Sequence, residues 1–143
     1  MAADKALGHY THEKNPVACA AGLATLAVIE EEKLVEHARE LGNYARRRLE
    51  ALTARHPLIG DVRGLGLLLG VELLRDRSTL TRATDEAEQV MYGALSRGLN
   101  FKVTMGNILT LTPALIISQA EMDLAVAILD EAIGEAEGKT PPG

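Results

Sequence analysis

The chain has 143 residues, with 15 Lys and Arg against 20 Asp and Glu, a formal net charge of −5 at pH 7. That length supports one domain with its own core, and the acidic balance leaves no basic face large enough for nucleic acid. Aromatic residues are only 3% of the chain, with no Trp and one Phe, so the core must be built from Leu, Ile, Val and Ala. The single cysteine, Cys19, cannot close an internal disulfide. Residues 1–7 lack the basic head and apolar centre of a signal peptide, and no apolar run reaches membrane-spanning length. The expectation is a cytoplasmic protein with no membrane partner.

The elements follow in chain order. Asn15-Pro16 predicts a sharp helix start, because Asn caps free N–H groups and Pro fits the first helical position. The helix over 16–30 is apolar almost all round (Val17, Ala20, Ala21, Ala24, Leu26, Val28), which predicts burial on several sides. After Glu30-Glu31-Glu32, a second helix is expected over 33–55. Leu34, Ala38, Leu41, Ala45, Leu49 and Leu52 recur at helical spacing, and His56-Pro57 ends the run. Residues 58–74 change period and predict one or two strands with a glycine-rich bend. Residues 75–82 read as a polar connector. A third helix is expected from Thr84 or Asp85 to Arg97, with Gly98 as its C-cap. Short strands are expected over 99–103 and 108–112, joined by a turn at Met105-Gly106-Asn107. Ser118 and Glu121 form a capping box that starts the last helix near Gln119. Residues 138–143, with Pro141-Pro142, read as a tail. The order predicts an α+β fold: a small, mostly antiparallel sheet with helices on one side.

Several motifs have a bland reading that outweighs the chemical one. The run Gly64-x-Gly66-x-x-x-Gly70 lacks dinucleotide-loop spacing and sits in a strand pattern, so its glycines are assigned to close packing or a bulge. His9, His12 and Glu13 could in principle meet a metal, but no second cluster supports them, and no metal is expected. Arg46-Arg47-Arg48 reads as a solvated helix face, and Cys19 as an inert helical cysteine. Thr11 differs, because its hydroxyl sits just ahead of a capped helix, where a phosphate can be received.

Three segments together carry a resemblance. "THEKNPVACAAGLATLAVIEE" at Thr11 to Glu31, "HPLIGDVRGLGLLLGVELL" at His56 to Leu74 and "GNILTLTPALIISQAEMDLAVAILDEAI" at Gly106 to Ile133 resemble, in order, the C-terminal third of class III aminotransferases. These are enzymes of the ornithine and 4-aminobutyrate type, which use pyridoxal phosphate and have fold type I. The likeness covers about residues 6–137. It implies residues 1–57 as a cofactor-side loop and interdomain helices, and 58–137 as the C-terminal small domain. It also implies that Thr11 bonds the phosphate of a cofactor held mainly by another subunit, in a homo-oligomer. Amino-group transfer between an amine or amino acid and a keto acid would be the reaction. Two departures qualify it. The lysine that holds the cofactor and the aspartate that pairs its ring nitrogen lie upstream in the family, and Lys5 and Lys14 are too close to Thr11 to replace that lysine. Many relatives also carry a substrate-binding arginine three residues before a late-strand proline, where this chain has Thr110 before Pro113. The chain alone is therefore expected to be inactive. The alternative expectation is a non-catalytic module that self-associates or binds a partner through exposed apolar faces of its first two helices.

Overall fold

The computed structural model describes residues 15–138, which form two compact units with the boundary between Val35 and Glu36. The first holds helix α1 (Pro16–Glu31). Asn15 starts it as expected, its Oδ1 accepting from the Val17 N–H at 2.9 Å with Pro16 following. None of its residues is buried. The expected burial therefore does not occur within this unit, which offers one helix and no second element to cover it. Lys33, with φ of 52°, separates α1 from the next helix.

The second unit contains α2 (Leu34–Leu52) from Glu36 onward, β1 (Ile59–Leu65), β2 (Leu68–Asp76), β3 (Thr81–Arg82), α3 (Thr84–Ser96), β4 (Lys102–Thr104), β5 (Ile108–Leu111) and α4 (Gln119–Ala136). The strands form one antiparallel sheet in the order β1-β2-β5-β4, with β3 pairing β2 off that path. Alternation gives the sheet two unlike faces. Ile59, Leu69, Val71, Leu73, Leu109 and Leu111 point into the core. There they join Leu41, Ala45, Leu49 and Leu52 of α2, Val90 of α3, and Met122, Leu129 and Ile133 of α4. The helices thus cover one face, and the fold is the expected α+β layer. The α2 stripe is part of this core, so the exposed apolar face expected of the second helix is not there.

Local chemistry accounts for the helix ends. Gly98 adopts φ of 88°, and the N–H groups of Gly98 and Leu99 donate to Leu95 and Ala94 carbonyls, each at 3.0 Å. This paired closure ends α3. It also takes Leu99 out of the expected strand, so β4 begins at Lys102 instead. The connector holds one unforeseen element, because β3 returns onto the end of β2 after Asp76 Oδ1 accepts from the Ser78 N–H and hydroxyl at 2.7 and 2.6 Å.

The capping box forms as read. The Glu121 N–H donates to Ser118 Oγ at 3.2 Å, and the Ser118 N–H donates to Glu121 Oε2 at 2.8 Å. The Ser118 hydroxyl, its leading hydrogen-bond donor, holds the Glu121 carboxyl below the usual glutamate range. Ser118→Ala is expected to cost about 1 kcal/mol, read as a lower urea midpoint with an unchanged slope.

Candidate functional site

The outer face of the sheet carries the polar side chains. On β5, Leu109 and Leu111 are buried while Ile108 and Thr110 face the other way. The register places Thr110 opposite Gly70 of β2 on one side and Lys102 of β4 on the other, and Gly70 opposite Arg63 of β1. Residues directly opposite across a sheet share a face. Arg63, Gly70, Thr110 and Lys102 therefore form one row across four strands. Thr104, two residues along β4, joins it through a hydroxyl–hydroxyl hydrogen bond to Thr110 at 2.7 Å.

The two cations of this row are in different states. Arg63 donates to Asp61 Oδ2 at 2.6 Å and to Glu72 Oε2 at 2.7 Å. Those bonds, Asp61 first, raise the guanidinium pKa further, and both are made by the one nitrogen Nη1. Glu72 is steadied in turn by Asn107, a fully buried residue whose Nδ2 also donates to the Leu73 carbonyl at 2.9 Å. Lys102 is exposed and makes no ion pair among the described residues. The row thus offers one unengaged ammonium beside a hydroxyl pair, with a glycine clearing the other flank.

A second polar cluster, invisible in the sequence, lies where α4 ends. His56 is buried, and its Nε2 and Nδ1 lie 2.6 Å from Asp130 Oδ1 and 2.8 Å from Glu137 Oε2. Arg55 reaches the other Asp130 oxygen at 2.8 Å, and Arg77 donates to the Ile59 carbonyl at 2.6 Å. Every group is engaged within the fold, so this is a structural joint.

Thr11, His9 and His12 lie outside the described residues. Cys19 is an exposed free thiol on α1. The arginine run behaves as a solvated face: Arg46 pairs Glu50 at 2.6 Å, and Arg48 pairs Asp123 at 3.1 Å. Among the described residues, no helix is long and apolar enough to cross a membrane.

A sequence model of the aminotransferase class-III family matches residues 5–133. The chain belongs to the class III aminotransferases. Over 134 residues it is 50% identical to an (R)-1-hydroxy-2-aminoethylphosphonate ammonia-lyase from Vibrio splendidus, covering 94% of this chain and 28% of that protein. A leucine/methionine racemase from Thermococcus litoralis is 43% identical, with 92% and 30% covered. The solved structure of a transaminase from the marine bacterium Virgibacillus superposes with a TM-score of 0.85 at 30% identity, covering 92% of this chain and 31% of that one. The chain thus spans about three tenths of the length of these class III relatives.

The family implies pyridoxal phosphate in the full enzyme. The described residues do not fit that group by themselves. Their two lysines, Lys33 and Lys102, are both exposed. A lysine that attacks a carbonyl must be freed of its proton by an apolar pocket or a neighbouring cation, and neither has such surroundings.

Proposed function

We propose that this chain forms the substrate-facing small domain of a pyridoxal-phosphate enzyme that moves an amino group between an amine or amino acid and a keto acid. In the complete enzyme the cofactor supplies the electron sink at the reacting carbon. Residues 58–137 act as the small domain, and residues 1–57 as the cofactor-side loop and linking helices. Thr11 donates to the cofactor phosphate across a homo-oligomer, in a cytoplasmic compartment suited to a chain with one free cysteine. The isolated chain is inactive.

The observation that carries the substrate side is Thr110. It stands on the outer sheet face where many relatives place an arginine, and its hydroxyl is paired with Thr104. A planar carboxylate is held best by the two parallel N–H groups of a guanidinium, which a threonine lacks. The preferred substrate is therefore an amine without a carboxylate beside the reacting carbon. Elimination of ammonia is the second reading, favoured by the 50% identity to the Vibrio splendidus lyase. A non-catalytic module that self-associates is favoured only by α1, none of whose residues is buried.

Co-expression with the part of the Vibrio splendidus protein that this chain does not match tests the enzyme reading. The assembled pair should take up pyridoxal phosphate and release keto product or ammonia from simple amines. Assembly without cofactor uptake would overturn the reading. Borohydride reduction of the isolated chain with cofactor should label no single lysine, and specific labelling would refute its inactivity. In the assembled pair, Thr110→Arg should raise kcat/KM for α-amino carboxylates about tenfold, the effect of roughly 1.4 kcal/mol of added charged hydrogen bonding. An unchanged preference would remove Thr110 from substrate selection.

A further inference from the structure

We propose that Lys102, Thr104 and Thr110 together receive the tetrahedral oxyanion of a phosphonate group on the amine substrate. This rests on the reading above, in which the outer sheet face meets the substrate, and it names the group recognised there.

The geometry of the donors separates the candidate anions. A carboxylate is flat and asks for two parallel donors from one fork. The only guanidinium in the row, Arg63, is anchored to Asp61 and Glu72 through Nη1, and β2 stands between its strand and that of Thr110. Beside Thr110 stand a point charge and a hydroxyl pair. Lys102 carries three donors on a compact ammonium, and it stands directly across from Thr110 in register. In the Thr104–Thr110 pair one hydroxyl donates to the other at 2.7 Å, which leaves one O–H free to donate outward. Separate donors on two adjacent strands suit an anion whose three oxygens point in three directions. Ammonium and hydroxyl groups are common phosphate partners for this reason.

The surroundings agree on charge and space. Glu72 and Asp61 lie together in the next row of the same face and would repel a dianion if free, but both are tied to Arg63. Gly70 sits on the far flank of Thr110, where an added Cβ would come within 3.4 Å of the Ile108 side chain. The glycine keeps that flank open for the rest of the substrate.

The test uses the full 143-residue chain, isotopically labelled, titrated at constant ionic strength with methylphosphonate, acetate or inorganic phosphate. Methylphosphonate should move the signals of Lys102, Thr104 and Thr110 saturably, with acetate at least about fivefold weaker. Lys102→Gln and Thr110→Val should each weaken methylphosphonate by about fivefold or more while the remaining spectrum stays native. Thr104→Val serves as the second hydroxyl variant should Thr110→Val not fold. Equal shifts with acetate, or no loss in the folded variants, would overturn the assignment. Inorganic phosphate binding about tenfold tighter than methylphosphonate would make this a free-phosphate site and also overturn it. The enzyme reading fails separately: selective methylphosphonate binding in a chain whose assembled pair takes up no cofactor would refute the enzyme and leave the anion site standing. Cofactor uptake and turnover without phosphonate selectivity would refute the site alone.

Discussion

Gly42→Ala is expected to destabilise the second unit by about 3 kcal/mol or more, a large fraction of a domain's stability. In an ordinary helix interior this substitution helps, because Ala is favoured over Gly by about 1 kcal/mol. Here a Cβ on residue 42 would lie 2.1 Å from the Gly66 carbonyl oxygen and 2.3 Å from its carbonyl carbon. Those atoms are backbone and cannot rotate aside. Gly66 itself sits at φ of 54° in the turn between β1 and β2, so the hairpin tip touches α2 main chain to main chain. Making room means lifting the tip from the helix, which uncovers Leu67 and Leu41, both now buried. The steric term therefore exceeds the propensity gain. Gly22→Ala in α1 is the control, because nothing lies within 4 Å of the added Cβ. It should be neutral or stabilising by about 0.5–1 kcal/mol. Urea denaturation of the two variants compares them directly, and similar midpoints would refute the close-approach account.

His56→Ala is expected to cost about 3 kcal/mol, the upper end of the penalty for stripping buried polar groups of a hydrogen-bond partner. Both ring nitrogens face carboxylate oxygens, at 2.6 and 2.8 Å. Each ring nitrogen thus meets one carboxyl group. The imidazole thereby ties the end of α2 to two residues of the α4 terminus, Asp130 and Glu137. Glu137 also accepts from the Leu58 N–H at 2.9 Å, which draws the start of β1 into the same joint. Removing the ring takes away the buried contact that the two carboxyl groups share. His56→Gln keeps one donor and should lose roughly half as much. Equilibrium unfolding gives the size of the loss, and amide exchange at the last turn of α4 shows where it falls. Global stability unchanged in His56→Ala would show that Arg55 and its neighbours hold the joint without the imidazole.

These two sites mark where the sequence stops being legible. Gly42 reads as a slightly poor residue in a good helix, and no local pattern announces the Gly66 carbonyl. His56 reads as part of a helix-ending His-Pro pair, while its partners lie 74 and 81 positions away. The candidate site shows the same division. Thr110 was legible as an unusual residue in a late strand. Lys102 and Arg63 were not, because only strand register brings residues 63, 70, 102 and 110 into one row.

What the sequence determined by itself was the set of features settled within a few residues. The Asn15-Pro16 start, the Ser118–Glu121 box and the Gly98 cap each satisfy helix-end groups with neighbours in the chain, so composition at fixed offsets suffices to read them. Only the tertiary structure decided how those elements meet. It placed α2 in the core where an exposed face was expected, and it left α1 without a buried residue where burial was expected. Helical spacing says that an apolar stripe needs a partner, but whether one arrives depends on packing between segments far apart in the chain. The outer-face row has the same origin, since hydrogen bonds between strands, not spacing along any one of them, set its register.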